Sequence, residues 1–100
     1  MRLVTILLAA FAAAPALAQT PDALYLRSLA ATCANCHGTD GRTVQGSPLP
    51  PLAGMQREYL VTQLKAFKAG TRPSTIMTQL AKGYTDAQIE QLATFFAAQK

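Results

Sequence analysis

Histidine is nearly absent from this chain and cysteine is scarcely commoner: one His and two Cys in 100 residues. So small a set excludes the usual zinc centre, which takes four protein ligands from Cys, His or carboxylates. Acidic residues are also few, five against nine Lys and Arg, giving a formal net charge of +4. That excess is modest and forms no basic stripe, which argues against nucleic acid as a partner. Beyond residue 18 no apolar run is long enough to span a bilayer, and no alternating pattern of useful length predicts a strand.

What is present begins with Met1 and Arg2, an apolar run from Leu3 to Ala14, and small residues at Ala16 and Ala18. This order predicts a secretory signal peptide over residues 1–18, cleaved before Gln19. A retained anchor is the competing reading, but the run falls short of the roughly 20 apolar residues that a span requires. Export would deliver residues 19–100 to the periplasm as a single domain with no stable membrane insertion. Loss of Arg2 leaves eight basic residues against five acids. A chain of that length buries little core on its own, so a covalent staple or a cofactor is expected.

Helical spacing organises the rest. Thr20 as a cap, Pro21 in the first turn and Asp22 at the positive end predict a helix from Pro21 to about Cys33, with Leu26, Leu29, Ala30 and Cys33 on one face. Residues 38–54 hold four glycines and three prolines, the composition of an extended loop. A loop so long needs something to wrap around. A second helix is predicted from about Gln56 to Ala69, with Leu60, Leu64 and Phe67 inward and Gly70 as its stop. Residues 71–84 read as another loop. The last helix starts at Thr85, where Thr85 and Gln88 have capping-box spacing, and buries Ile89, Leu92, Ala93 and Phe96. The expected class is all-α, with three main helices and two long loops.

Both cysteines and the only histidine fall within five residues, Cys33-Ala34-Asn35-Cys36-His37. This is the c-type haem attachment pattern, in which two thiols add to the haem vinyl groups and the adjacent imidazole ligates the iron. Three residues apart on a helical turn, the two sulfurs share a face and can straddle one porphyrin edge. A thioredoxin-like dithiol would follow a strand, and none is predicted. A disulfide across so short a loop would stabilise little. With no second histidine, a thioether is the obvious sixth ligand. Met77, in the loop before the last helix, is the expected ligand; Met55 is read as filler. The carbonyl that fixes a ligand imidazole is sought in Pro48-Leu49-Pro50-Pro51. Tyr59, Phe67, Tyr84, Phe95 and Phe96 are expected to line the haem pocket or the helix contacts.

On the CANCHG stretch at 33–38, PPLAG at 50–54, REYLVTQL at 57–64 and the methionine loop, the chain resembles the class I cytochromes c over residues 21–99. In that family the first and last helices cross near the haem. The resemblance implies that the Pro50 carbonyl bonds the histidine. FKAG at 67–70 and STIMTQLAKGYT at 74–85 are similar to the cytochrome subunit of flavocytochrome c sulfide dehydrogenases, while REYLVTQL is equally at home in cytochromes c4 and c553. The narrower resemblance implies Met77 as iron ligand and a sulfide-oxidising flavoprotein as partner. Some members of that group carry two haem domains; this chain has cysteines for one.

The expected function is therefore single-electron transfer through one covalent haem c, with no side chain acting catalytically. A free shuttle between a reductase and a terminal oxidase is the alternative, and a haem peroxidase with an open iron position is a third reading. Lys65, Lys68, Arg72 and Lys82 read either as a docking patch or as a solvated surface.

Overall fold

The computed structural model describes residues 18–100; the leader expected over residues 1–18 lies outside them but for Ala18. Four α-helices carry these residues: α1 (Pro21–His37), α2 (Arg57–Ala69), α3 (Met77–Ala81) and α4 (Asp86–Ala97), with a 3-10 turn at Thr39–Gly41. No strand occurs among the described residues. The all-α class expected from the sequence is the class observed.

Helix α1 starts as expected, the Thr20 hydroxyl accepting from the Ala23 amide at 3.2 Å with Pro21 next in line. It runs one turn further than Cys33, to His37, because nothing before Gly38 breaks it; Gly38 has φ 82° and its amide closes on the Ala34 carbonyl. The haem-attachment pattern thus lies wholly within the last turns of a helix. Helix α2 ends at Gly70, in the left-handed region at φ 78°. Helix α4 begins with the capping box read at Thr85 and Gln88: the Thr85 hydroxyl accepts from the Gln88 amide at 3.1 Å, and the Gln88 side chain returns to the Thr85 amide at 2.9 Å.

The departure is α3, five helical residues within what was expected to be a loop. Its signal is local: the Ser74 hydroxyl accepts from the Thr78 amide at 2.8 Å, satisfying a free donor of the first turn. A helix of one turn is too short for periodicity to reveal.

All four residues expected on the inner face of α4, Ile89, Leu92, Ala93 and Phe96, are buried. Leu92, Ala93 and Phe96 form one cluster with Ala30 of α1 and Leu60 of α2, and Leu29, Cys33, Leu52, Met55, Val61, Tyr84 and Phe95 pack around it. Small side chains at Ala30 and Ala93 let α1 and α4 approach closely. Phe95 meets Phe96 edge-on, with ring centroids 5.2 Å apart.

The long loop wraps onto the end of α4. The Gly41 carbonyl accepts from the Leu52 and Ala53 amides at 2.9 and 3.1 Å, and the Phe96 carbonyl accepts from the Gly54 amide at 2.9 Å. Gly41 has φ 77°, and a Cβ there would lie 2.8 Å from both Leu52 Cβ and Phe96 Cδ1. No side chain fits where the loop folds against the core.

Helices α2 and α4 are also joined by charge. Glu90 receives Arg57 and, at 3.2 Å, Lys65, while Asp86 receives Lys68 at 3.0 Å. The Lys65 hydrogen bond, and then that of Arg57, hold the Glu90 carboxyl below its ordinary range. Because the folded value lies below the unfolded one, about 4.3, the stabilisation is present above that pH and is lost as pH falls through the folded value.

Two outcomes follow from this packing. Gly41→Ala should lower stability by more than about 2 kcal/mol in a urea melt, because a left-handed L-residue and a core clash add. Glu90→Gln should lower the melting temperature at pH 7 and leave it nearly unchanged at pH 3, read by circular dichroism.

Candidate functional site

His37 closes α1 and is buried. Its Nδ1 lies 2.8 Å from the Pro50 carbonyl oxygen. A carbonyl only accepts, so Nδ1 carries a proton, and the tautomer of the imidazole that this selects has its lone pair on Nε2. Among the described residues the ring makes no second hydrogen bond, and Nε2 is free to ligate a metal. The Thr43 hydroxyl donates to the His37 carbonyl at 3.3 Å, fastening the loop to the helix end.

Cys33 is half-buried against the core cluster and Cys36 is exposed, both as free thiols. Burial pushes the Cys33 thiol up, with Thr32 hydrogen bonding opposing in part and Cys36 adding a smaller rise. A raised thiol pKa is the reverse of what a redox dithiol uses. No group of three or more His, Cys, Asp or Glu side chains gathers among the described residues.

The two methionines of the described residues differ in their surroundings. Met55 packs against the core cluster. Met77 is half-buried at the first position of α3, on a segment that packs against α2.

Residues 26–100 match the protein family described as Cytochrome c. The chain belongs to the cytochrome c family. It is 46% identical over 68 residues to the cytochrome subunit of sulfide dehydrogenase from Chlorobaculum tepidum, covering 68% of this chain and 60% of that protein. It is 38% identical to the thiosulfate dehydrogenase electron acceptor of Thiomonas intermedia, covering 71% of this chain and 33% of that one. Among solved structures, cytochrome c4 of Acidithiobacillus ferrooxidans superposes with a TM-score of 0.62 at 41% identity, over 66% of this chain and 37% of that one. The chain thus spans between a third and three fifths of the length of these relatives.

A cytochrome c holds haem c covalently, with iron at its centre. The residues present fit that group. An imidazole whose Nδ1–H is held by a carbonyl while Nε2 stays free suits a haem ligand, and two unbridged cysteines on the same helical end suit thioether attachment. Leu49 beside Pro50, Ile76 beside Met77, and Leu80 on α3 are large apolar side chains left exposed, a surface that a flat apolar macrocycle would cover.

Of the basic residues considered for docking, most are occupied. Lys65 and Lys68 bridge to α4. The Arg72 guanidinium lies over the Phe67 ring, 4.5 Å from its centroid, and donates to Gln63 at 2.6 Å. Among the described residues no helix is long and apolar enough to cross a membrane. Sequence reading passed over Gly41, whose role shows only once Leu52, Ala53 and Phe96 are brought around it.

Proposed function

We propose that this cytochrome is a periplasmic electron carrier, exported by a leader over residues 1–18, with residues 19–100 forming one monohaem domain. Its partner is a flavoprotein that oxidises sulfide. The observation that carries the partner is the 46% identity to a sulfide dehydrogenase cytochrome subunit. The similarity to a thiosulfate dehydrogenase electron acceptor favours a second reading, a free carrier loaded by a different dehydrogenase.

Cys33 and Cys36 would hold the haem through thioether bonds, and His37, through Nε2, and Met77 would hold its iron. The bound haem supplies a one-electron ferric–ferrous couple. His37 keeps its ring orientation in both states because Pro50 holds the Nδ1 proton, and this minimises the rearrangement on electron exchange. Met77 supports a high potential through thioether ligation; Met55 serves the core. With His37 and Met77 both holding the iron, peroxide would find no open position.

Met77→Ala should abolish the far-red charge-transfer band of the ferric protein and lower its midpoint potential, whereas Met55→Leu should leave both unchanged; an unaltered band in the first variant would overturn the ligand assignment. For the partner, purification from the source cell under low salt should bring a flavin-bearing chain with the haem absorbance. A haem protein that elutes alone, and is reduced by a thiosulfate dehydrogenase but not by a sulfide-oxidising flavoprotein, would replace the first reading with the second.

A further inference from the structure

One hydrogen bond has no part in helix capping or loop closure. The Tyr84 hydroxyl lies 2.6 Å from the Thr32 hydroxyl, across 52 positions of sequence. The Thr32 hydroxyl gives its own proton to the Leu29 carbonyl at 2.7 Å, so Tyr84 is the donor and Thr32 the acceptor. Among the described residues this is the one hydrogen bond that joins α1 to the stretch between α2 and α4, residues 70–85. Thr32 immediately precedes Cys33, and the same helix ends on His37. On the other side, the Tyr84 amide donates to the Ala81 carbonyl at 3.2 Å and the Gly83 amide to the Leu80 carbonyl at 3.0 Å. Tyr84 is thereby fastened to the end of α3, whose first residue is Met77. Its ring packs on the core cluster, and Thr85, which follows it, is locked in the capping box of α4.

The two axial ligands assigned above belong to different segments, and a bond that both must satisfy is only as secure as the tie between those segments. We propose that Tyr84 is a positioning residue for Met77, its hydroxyl clamping the Met77 segment onto the helix that carries the attachment cysteines and His37. The inference rests on the Met77 assignment. Without the clamp, residues 70–85 retain their packing on α2 but swing more freely from α1, and Met77 spends more time away from the iron. Loss of one neutral hydrogen bond shifts such an equilibrium by roughly fivefold.

The test uses the holoprotein, with cyanide as the probe that competes with Met77 for ferric iron. Tyr84→Phe and Thr32→Val remove the bond from its two sides and keep the shapes. Each should bind cyanide roughly fivefold more tightly than the parent and show a lower midpoint potential. The double variant should be no worse than either single one, and Thr32→Ser, which restores the acceptor, should return toward the parent values. A lower melting temperature with cyanide affinity and potential unchanged would show that Tyr84 serves stability alone and would overturn the proposal. If the parent protein itself lacks the far-red band, the Met77 assignment fails first, and the clamp has nothing to position.

Discussion

The hydrogen bond between His37 Nδ1 and the Pro50 carbonyl is the contact on which the site depends. It decides the tautomer of the only histidine in the chain and leaves Nε2 as the ring nitrogen open to a metal. It also sets what the surrounding chain must do. A carbonyl 13 residues downstream can reach the end of α1 only if the intervening loop folds back, and Gly38 and Gly41, both at positive φ, give the loop its direction. Gly41 then docks on Leu52, Ala53 and Phe96. The ring is therefore held by α4 as well, through a path of backbone contacts rather than through side chains of its own helix. That answers what a long loop rich in glycine and proline wraps around: one flank is the core, the other the imidazole.

Charge plays a different part from the one its composition suggests. The chain carries a net positive charge, yet Arg57, Lys65 and Lys68 are engaged with acids across α2 and α4, and Arg42 pairs with Asp40. These pairs are partly exposed, and such bridges contribute little each to stability. Their larger effect is on the outer field, because a cation already facing an anion offers little to a distant partner.

Much of this was legible in sequence because its signals were local. Thr20-Pro21-Asp22 marked the start of α1, Thr85 with Gln88 marked the start of α4, and the inward face of α4 followed from spacing alone. The attachment pattern identified the haem through residue chemistry, and the proline stretch identified where a carbonyl should be sought. The missed features were those whose cause lies in three dimensions. Helix α3 has one turn and no period. The extension of α1 to His37 depended on Gly38 as the first breaker rather than on any apolar face. The glycine at 41 differs from its neighbours only through what packs against it, and the pairing of Lys65 with Glu90 and of Lys68 with Asp86 needs α4 beside α2.

The two sides of the proposed iron site are built unequally, and the asymmetry has a physical reason. His37 stands on a helix of 17 residues, its ring bonded to a carbonyl that is itself backed by the core. Met77 stands at the start of a five-residue helix flanked by exposed Ile76 and Leu80, and only Tyr84 ties that stretch by hydrogen bond to α1. A fixed imidazole would keep the reorganisation on electron exchange small, while a five-residue helix would leave the proposed methionine bond more sensitive to what contacts it. The histidine side of the proposed site is thus secured by a carbonyl backed by the core, and the methionine side by the packing of α3 on α2 together with the Tyr84 hydroxyl.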